Sequence, residues 1–487
     1  MRRFSLTVLR NSIFGMGAQL IIKVLSFAFT VLIVRKLGTE AFGQYSAVLA
    51  FGAMFVFIAD LGLSPYTVRQ IARWRDAIDA HEKINTFFGN ILLLRFFLSL
   101  LAATLLIATA WLTGRPPIMV FAIALGTIGL IMYSVQGTAD AVLAGFERLD
   151  LSAGSKISYQ IIFVAVGGIA LWFGAGYFGL IAANLMGIAA MTAICWRGTQ
   201  LVGTKPTAPT PQIWKKLLRQ SIPFGIIGFT LGLSYKFDSV LLNIYRGDTE
   251  TGYYNAAYSL VFSTVILSNI VNTALYPSMT RQAASEPHTL SKIYERALRY
   301  LLILSLPIAI GGATLADQIV PFLFGIEYAA AISILQIVIW VVPLMFASEF
   351  LGYIVVISGK ESQIARAIMI STGFNVLLNF LLIPRFGVWS AAIMTLLTEI
   401  VLVSQYLWML RDTLRYFNGY HVLLRPLVAA LLMGGIAFLL HGVLPLLLNV
   451  AIGVVVYAIL LFVLKVLSIE EVKFFRSLGQ RKEVEAS

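Results

Sequence analysis

The sequence predicts an all-α integral membrane protein of about 14 transmembrane helices: two pseudo-symmetric six-helix lobes around a central cavity, plus an accessory C-terminal helix pair. Three observations carry this. Of 487 residues, 59% are hydrophobic and 12% charged, too little polar surface for a water-soluble chain of this length. Apolar runs of about 20 residues or more, each able to cross a hydrocarbon core of roughly 30 Å as a helix, recur along the whole chain. Residues 10–47 also return, without a gap, 209 positions later.

In that repeat Arg10-Asn-Ser-Ile13 becomes Arg219-Gln-Ser-Ile222, and Val31, Leu32, Gly38, Gly43, Tyr45 and Ala47 meet Val240, Leu241, Gly247, Gly252, Tyr254 and Ala256, giving nine identities in 38 positions. A second echo pairs Phe178-Gly179 and Ala183 with Phe386-Gly387 and Ala391 at an offset of 208. A membrane chain of two similar halves places its substrate path where they meet and works by rocking one against the other. The duplication therefore points to a transporter.

In chain order, spans are expected at 12–34, 42–64, 86–112, 117–143, 154–174 and 177–199, then at 221–245, 252–277, 297–316, 328–356, 363–384 and 387–410. The last two, 422–442 and 445–467, lie outside the duplicated unit. The first span follows Met-Arg-Arg as a signal peptide would, but its apolar core is too long and no small-residue cleavage site closes it, so it reads as a retained anchor. Lys205-Pro-Thr-Ala-Pro-Thr-Pro211 cannot be a continuous helix. The following Ile213-Trp-Lys-Lys-Leu-Leu-Arg219 is amphipathic and predicts an interfacial helix whose Trp214, Leu217 and Leu218 enter the membrane surface. The expected domains are thus 1–203 (N-terminal lobe), 204–219 (cytoplasmic linker with the amphipathic helix), 220–415 (C-terminal lobe) and 416–487 (accessory pair and cytoplasmic tail). Pro307 and Pro343 predict kinks in the ninth and tenth spans. Gly228 and Gly232 form a small-xxx-small pair that predicts close helix packing.

The net charge of +13 is not gathered into a patch, as nucleic-acid binding requires. With the N-terminus inside, 28 of the 36 Lys and Arg fall on inner loops, tails and helix ends, five (Arg35, Lys36, Arg115, Arg246, Arg385) on outer loops, and three within helices. That bias follows the positive-inside rule and places both termini in the cytoplasm. The basic loops at Arg69, Arg73, Arg75 and Lys83, and at Lys205, Lys215, Lys216 and Arg219, read as topology determinants that touch anionic lipid.

Catalytic signatures are missing. Gly203-Thr-Lys205 and Gly359-Lys-Glu361 lack the rest of a phosphate loop, so direct ATP use is not expected. His81, His288, His421 and His441 are scattered without metal-ligand spacing, and the lone Cys195 reads as a packing residue. With no outer loop longer than roughly a dozen residues, the chain is expected to be no enzyme and to carry no cofactor.

Ionisable groups inside the bilayer are costly, which makes each a candidate by default. Lys23 lies midway along the first span and Lys236 just past the middle of the seventh. Superposed by 209 residues, Lys236 falls at Phe27, four residues from Lys23 and so on the same helix face. Both lysines are expected to line a cavity between the lobes, with Arg95 as a third cation. The alternative is that they pair with Asp238, Asp140 or Glu349 and hold helices together. Asp60 and Asp140, near inner helix ends, read as structural. Asp238, Glu349 and Glu399 are read either as coupling groups or as members of charge pairs.

Arg35-Lys-Leu-Gly-Thr-Glu-Ala-Phe-Gly-Gln-Tyr45, then Asp60-Leu-Gly-Leu-Ser64 and Val68-Arg-Gln-Ile-Ala-Arg73, resemble the opening of the bacterial polysaccharide flippases. Ser221-Ile-Pro-Phe-Gly225, Thr251-Gly-Tyr-Tyr-Asn-Ala256 and Pro277 resemble that family's seventh and eighth helices. The family sits in a superfamily with multidrug extrusion pumps and lipid-linked peptidoglycan precursor flippases. No dense arginine set matching the latter branch stands in the first helix, only Lys23.

The resemblance implies movement of a polyprenyl-pyrophosphate-linked sugar repeat unit across a bacterial inner membrane for O-antigen, capsule or exopolysaccharide assembly. Implied partners are that glycan lipid, membrane lipids, and assembly proteins such as a polymerase or glycosyltransferases, with no nucleic acid. Lys23, Lys236 and Arg95 would stabilise the pyrophosphate, and the membrane potential, H+ or Na+ would supply coupling. Two rivals stand beside this reading. An organic-cation antiporter of the same superfamily would line its lumen with carboxylates and aromatics rather than lysines. A membrane-embedded glycan polymerase or ligase would need a sizeable outer loop, which is absent.

Overall fold

In the computed structural model the described residues, 2–77, 79–282, 287–415 and 418–467, are helices joined by short turns, with no strand among them. The first half comprises α1 (Arg2–Asp60), α2 (Leu63–Trp74), α3 (Ala80–Leu112), α4 (Pro117–Gly145), α5 (Leu149–Trp172) and α6 (Gly176–Leu201). The rest comprises α7 (Trp214–Arg246), α8 (Asp248–Gln282), α9 (Pro287–Thr314), α10 (Ala316–Phe324), α11 (Ala331–Val338), α12 (Val341–Ile357), α13 (Glu361–Phe386), α14 (Val388–Met409), α15 (Arg425–Leu439) and α16 (Leu446–Val463). From residue 468 onward the expected tail lies outside the described residues.

Eleven helical segments are long and apolar enough to span a membrane, and counting each of two bent pairs as one span brings the number to 13. The expected fourteenth span depends on how α1 is divided. Its 59 residues would run roughly 90 Å at 1.5 Å each, about three bilayer cores. Gly38, at φ 73 and ψ 177, interrupts them between the two spans expected at 12–34 and 42–64. No L-residue with a side chain takes that conformation without strain, which accounts for the glycine. Gly247, its equivalent 209 positions on, has φ 86 and ψ −171 and separates α7 from α8 in the same way. The second echo does not superpose its turns, since Gly387 is the left-handed residue before α14 while Gly179 lies inside α6. Pro343 also departs from expectation. The tenth span is broken before it, between Val338 and Val341, and the proline occupies the first turn of α12, where its missing N–H costs nothing.

By packing, the chain divides into one unit of Met1–Ala256 with Ile368–Ala391 and a second of Ala257–Ala367 with Ala392–Ser487. This partition cuts across the duplicated lobes, because α7 and the start of α8 belong with the first repeat.

The linker is not a surface float. Leu217 is 5% exposed and packs with Leu63, Tyr66, Phe87, Ile91 and Leu94, and Trp214 and Leu218 join the edge of that cluster. Leu217, at the centre of the face expected to enter lipid, is therefore covered by α2 and α3, and its helix continues as α7, which bends by 49° between Thr230 and Gly232. Asn90 of α3, fully buried, is the latch: its Oδ1 accepts from the Thr210 N–H at 2.7 Å and the Trp214 Nε1–H at 3.0 Å. Asn85 accepts from the Lys205 N–H at 2.9 Å, and a Cβ on Gly89 would lie 2.0 Å from the Thr207 carbonyl oxygen. Asn90→Leu strands both donors at about 1–3 kcal/mol each, so its melting midpoint in detergent is expected to fall well below that of Asn85→Ala, whose linker contact is exposed. Equal midpoints would remove the latch.

Candidate functional site

The strongest repeat glycines meet one another. A Cβ on Gly43 would lie 1.8 Å from the Asp248 carbonyl oxygen, and one on Gly252 would lie 2.2 Å from that of Thr39. Gly43 is the repeat equivalent of Gly252 and Thr39 of Asp248, so α1 and α8 cross reciprocally, backbone against backbone. Toward the linker a second crossing joins Gly62 and Gly225: a Cβ on Gly62 would lie 2.3 Å from the Gly225 nitrogen and the Ser221 carbonyl oxygen. Beside it Tyr66 donates its hydroxyl to Gln220 Oε1.

Between these crossings, inside the first unit, is a chamber of about 310 Å³ walled by the second limb of α1, by α2, α4 and α7. Its α7 wall is the stripe Phe224, Gly225, Gly228, Phe229, Gly232 and Leu233. Gly228 and Gly232 are not packing glycines, since a Cβ on either would meet nothing within 4 Å. They leave the space that the chamber occupies. Phe57 and Phe229, both on its lining, pack directly against each other, with ring centroids 4.4 Å apart and ring planes tilted by 35°. The same α7 stripe runs on through Gln220, Leu217 and Ile213 to a wider hollow of about 700 Å³, lined also by Tyr66, Trp74, Asp79 and Lys83. There Lys83 bonds Asp79 at 2.5 Å and holds that carboxyl below its usual range. The Gly62–Gly225 and Tyr66–Gln220 contacts stand between the two spaces.

The one carboxyl group among the chamber's lining residues is that of Asp60. It caps α2: Oδ2 accepts from the Gly62 N–H at 3.1 Å, and Oδ1 from the Ser64 N–H at 3.2 Å and hydroxyl at 2.6 Å. Arg95 Nη2 completes the set at 2.9 Å from Oδ1, while Nη1 donates to Thr138 Oγ1 at 3.2 Å. A Cβ on Gly137 would lie 2.8 Å from Nη2, so only glycine leaves room for the guanidinium. Arg95 is 1% exposed. It is therefore not the third open cation that the sequence suggests, nor is its partner one of the three acids named there. It is spent on fixing Asp60.

Neither lysine lines this chamber. Lys236 is half-buried, four residues beyond Gly232 on the same α7 stripe and thus about 6 Å further along the helix. It makes no hydrogen bond, and no ion pair within 4 Å, among the described residues. Lys23 lies on the stripe Lys23, Phe27, Thr30, Val34, which is completely buried at Val34 and exposed at Lys23, so the covering protein falls away toward the ammonium. Its repeat equivalent is Gly232, a chamber residue. Asp238, whose charge acts on Lys236 from beyond ion-pair distance, is 2% exposed and accepts from the Tyr254 hydroxyl and, at 2.8 Å, the Ser239 N–H. Arg115, counted as an outer-loop charge, donates to the Asn243 carbonyl and Oδ1 at 2.7 and 2.6 Å and to the Ile244 carbonyl at 3.1 Å. A cation on the last carbonyls of α7 complements that helix's dipole.

Glu349 and Glu399 belong to the second unit. Ser348 donates to Glu399 at 3.0 Å, Glu349 bonds Ser268 and Asn272, and Asn272 donates to Ser268 at 3.0 Å. Neither carboxylate makes an ion pair within 4 Å among the described residues. The buried Glu349 Oε2 and Asn272 Oδ1 have no hydrogen-bond partner there. The structure thus brings the two acids into one polar group, apart from Asp238.

The profile of the family described as "Polysaccharide biosynthesis protein" matches residues 8–283. The chain belongs to this family of polysaccharide flippases. A second profile, MatE, matches residues 223–381, which places the flippase in the superfamily that includes multidrug exporters. Among curated relatives, the chain is 23% identical over 442 residues to the "Probable low-salt glycan biosynthesis flippase Agl15" of Haloferax volcanii, covering 90% of this chain and 89% of that one. Its fold is similar to that of "Lipid II flippase MurJ, inward closed conformation" with a TM-score of 0.77 at 14% identity, over 96% of this chain and 99% of that one. It is also similar to an inward-facing multidrug resistance MATE family transporter, with a TM-score of 0.60 at 14% identity over 82% and 95%. Within this flippase, Asp60, which the sequence reads as a structural charge near an inner helix end, also lines the chamber beside Ser64 and Tyr133. Asp60-Leu-Gly-Leu-Ser64 is one of the stretches that carries the family resemblance.

Proposed function

We propose that this chain carries the sugar-bearing head of a polyprenyl-pyrophosphate-linked oligosaccharide from the inner to the outer leaflet of a bacterial inner membrane by alternating access between its two lobes, with both termini in the cytoplasm. The observation that carries the reading is the glycine-walled chamber where the first repeat meets α7 of the second, with Lys236, which makes no ion pair within 4 Å among the described residues, one turn beyond it. An ammonium held at membrane depth with its nearby Asp238 beyond ion-pair distance is costly unless water or an anionic ligand meets it. A pyrophosphate supplies that anion, and Lys23, on the uncovered end of the equivalent helix stripe, is its second holder. The sugars travel in protein or water, because each unpaired polar group in hydrocarbon costs several kcal/mol, while the polyprenyl tail stays in lipid.

Moving two negative charges outward is driven by an inside-negative potential, which at 100 mV contributes about 5 kcal/mol, so no nucleotide is needed. Glu349 and Glu399, a carboxylate pair without a cation, are the groups proposed to couple H+ or Na+ to turnover, with Asp238 as a charge partner within its own lobe. A polymerase and glycosyltransferases are the partners such a cargo requires.

A specific observation speaks for the antiporter alternative: the chamber is lined by a carboxylate and aromatics, as an organic-cation pump's lumen would be. Arg95 answers it. With the guanidinium 2.9 Å from Asp60, the pair carries no net charge and offers a cation no excess attraction.

Lys236→Ala and Lys23→Ala are expected to abolish surface glycan display at unchanged membrane abundance. Lys236→Arg is expected to keep activity that Lys236→Gln loses. Wild-type display from both alanine variants sinks this reading.

A further inference from the structure

We infer that the chamber is a subsite for one uncharged sugar ring of the cargo, read by Asp60, Ser64 and Tyr133 and stacked on Phe57 and Phe229. The inference rests on the flippase reading above and names which part of the cargo this space takes. A pyranose presents two kinds of surface, hydroxyls around its rim and weakly positive C–H bonds on its faces, and the chamber supplies a partner for each. Phe57 from α1 and Phe229 from α7 pack on each other, and the outer face of this pair, where Phe229 is 36% exposed, carries negative quadrupole charge that suits a C–H face.

The rim groups follow from a count of open hydrogen-bonding positions. A carboxylate oxygen accepts about two bonds each. Asp60 Oδ1 is filled by Arg95 and by the Ser64 N–H and hydroxyl, whereas Oδ2 accepts only the Gly62 N–H and keeps room for one more donor. The Ser64 hydroxyl donates to Asp60 and its oxygen keeps its lone pairs open. The Tyr133 hydroxyl makes no hydrogen bond among the described residues and can both donate and accept. Three open positions of mixed sense beside an aromatic pair suit a polyhydroxylated ring better than a lipid chain, which has no use for them. Arg95 is a positioning residue: it fixes the Asp60 rotamer and cancels its charge, so a neutral ring is not at a disadvantage to a cation. A volume of about 310 Å³ is at the small end for ligand sites, which fits one ring rather than a whole repeat unit. The pyrophosphate, attached next to the first sugar, would then lie toward Lys236, one turn along α7.

The test uses the full chain in nanodiscs and two probes, bare undecaprenyl pyrophosphate and the same lipid carrying a single neutral hexose, with tetraphenylphosphonium as a competitor. Wild type is expected to bind the hexose-bearing lipid at least tenfold more tightly than the bare one. Gly232→Leu, whose Cβ meets nothing within 4 Å and whose side chain takes up chamber space, is expected to erase that difference while leaving the Kd for the bare lipid within twofold. Tyr133→Phe removes only an unbonded hydroxyl, so it folds as the parent does and is expected to lose about fivefold for the hexose lipid alone. Equal wild-type affinity for the two lipids defeats the subsite while leaving the flippase reading intact. So does a hexose preference that survives both variants, or displacement of the hexose lipid by tetraphenylphosphonium. Failure of wild type to bind either lipid defeats the flippase reading, and the subsite with it.

Discussion

Gly252→Ala and Gly43→Ala are each expected to abolish surface glycan display and to lower the melting midpoint of the detergent-solubilised protein, although each adds a single methyl group. The methyl would lie 2.2 Å from the Thr39 carbonyl oxygen in one case and 1.8 Å from the Asp248 carbonyl oxygen in the other. No rotamer change relieves a contact made by Cβ with backbone, so the helices must part. Ordinary overpacking costs about 1–3 kcal/mol, and with nothing flexible to yield, about 3 kcal/mol or more is the expectation here. Two further glycines, Gly154 and Gly168, sit in helix α5 with nothing within 4 Å of their would-be Cβ atoms. Alanine there is expected to be neutral or stabilising, since it favours helix by up to about 1 kcal/mol over glycine. The double variant Gly43→Ala/Gly252→Ala is expected to be little worse than either single one, because both methyls open the same crossing and their costs do not add. Wild-type midpoints for the singles, or fully additive losses in the double, would contradict a shared backbone contact.

The repeat made this crossing partly legible in advance. Six of the nine recurring residues, Val31, Leu32, Gly38, Gly43, Tyr45 and Ala47, stand at the end of the first span and the start of the second, and among them Gly43 meets its equivalent Gly252 while Gly38 and Gly247 share a rare conformation. Hydropathy located most of the membrane helices because length and apolarity are local properties of the chain. What depends on a partner far along the chain was out of reach. The amphipathic face of Trp214, Leu217 and Leu218 has the pattern of a membrane-surface helix, and sequence cannot tell lipid from the apolar sides of α2 and α3 as its cover. Glycine four residues from glycine reads as tight packing on one helix, yet Gly228 and Gly232 face open space, since small residues equally allow approach and leave a void. The charges were found, but their pairings were not. Arg95 and Asp60 are 35 residues apart on different helices, and no periodicity relates them.

That pairing makes Arg95→Leu the other substitution with a large expected effect. Arg95 is 1% exposed and the Asp60 side chain 21%, so removing the cation leaves a mostly buried carboxylate without its counter-charge. Breaking a buried pair from one side costs about 3–5 kcal/mol, whereas replacing both partners by apolar groups of similar size is often neutral. The melting midpoint is therefore expected to fall most for Arg95→Leu and to recover in part in Asp60→Leu/Arg95→Leu. Recovery is incomplete, because Asp60 also accepts the Gly62 and Ser64 N–H groups that open α2, and leucine cannot cap them. Lysine at position 95 is expected to rescue Asp60 but not the whole fold of the site. A single ammonium cannot reach both Asp60 and Thr138 Oγ1 as the two arms of the guanidinium do, nor fill the hollow opposite Gly137. Transport separates the positioning role from a merely structural one. If Arg95 acts through Asp60, the double variant regains stability but not glycan display, while Arg95→Lys regains display out of proportion to its stability. A double variant as unstable as Arg95→Leu itself would mean that the guanidinium's packing, rather than the charge it balances, is what the helices require.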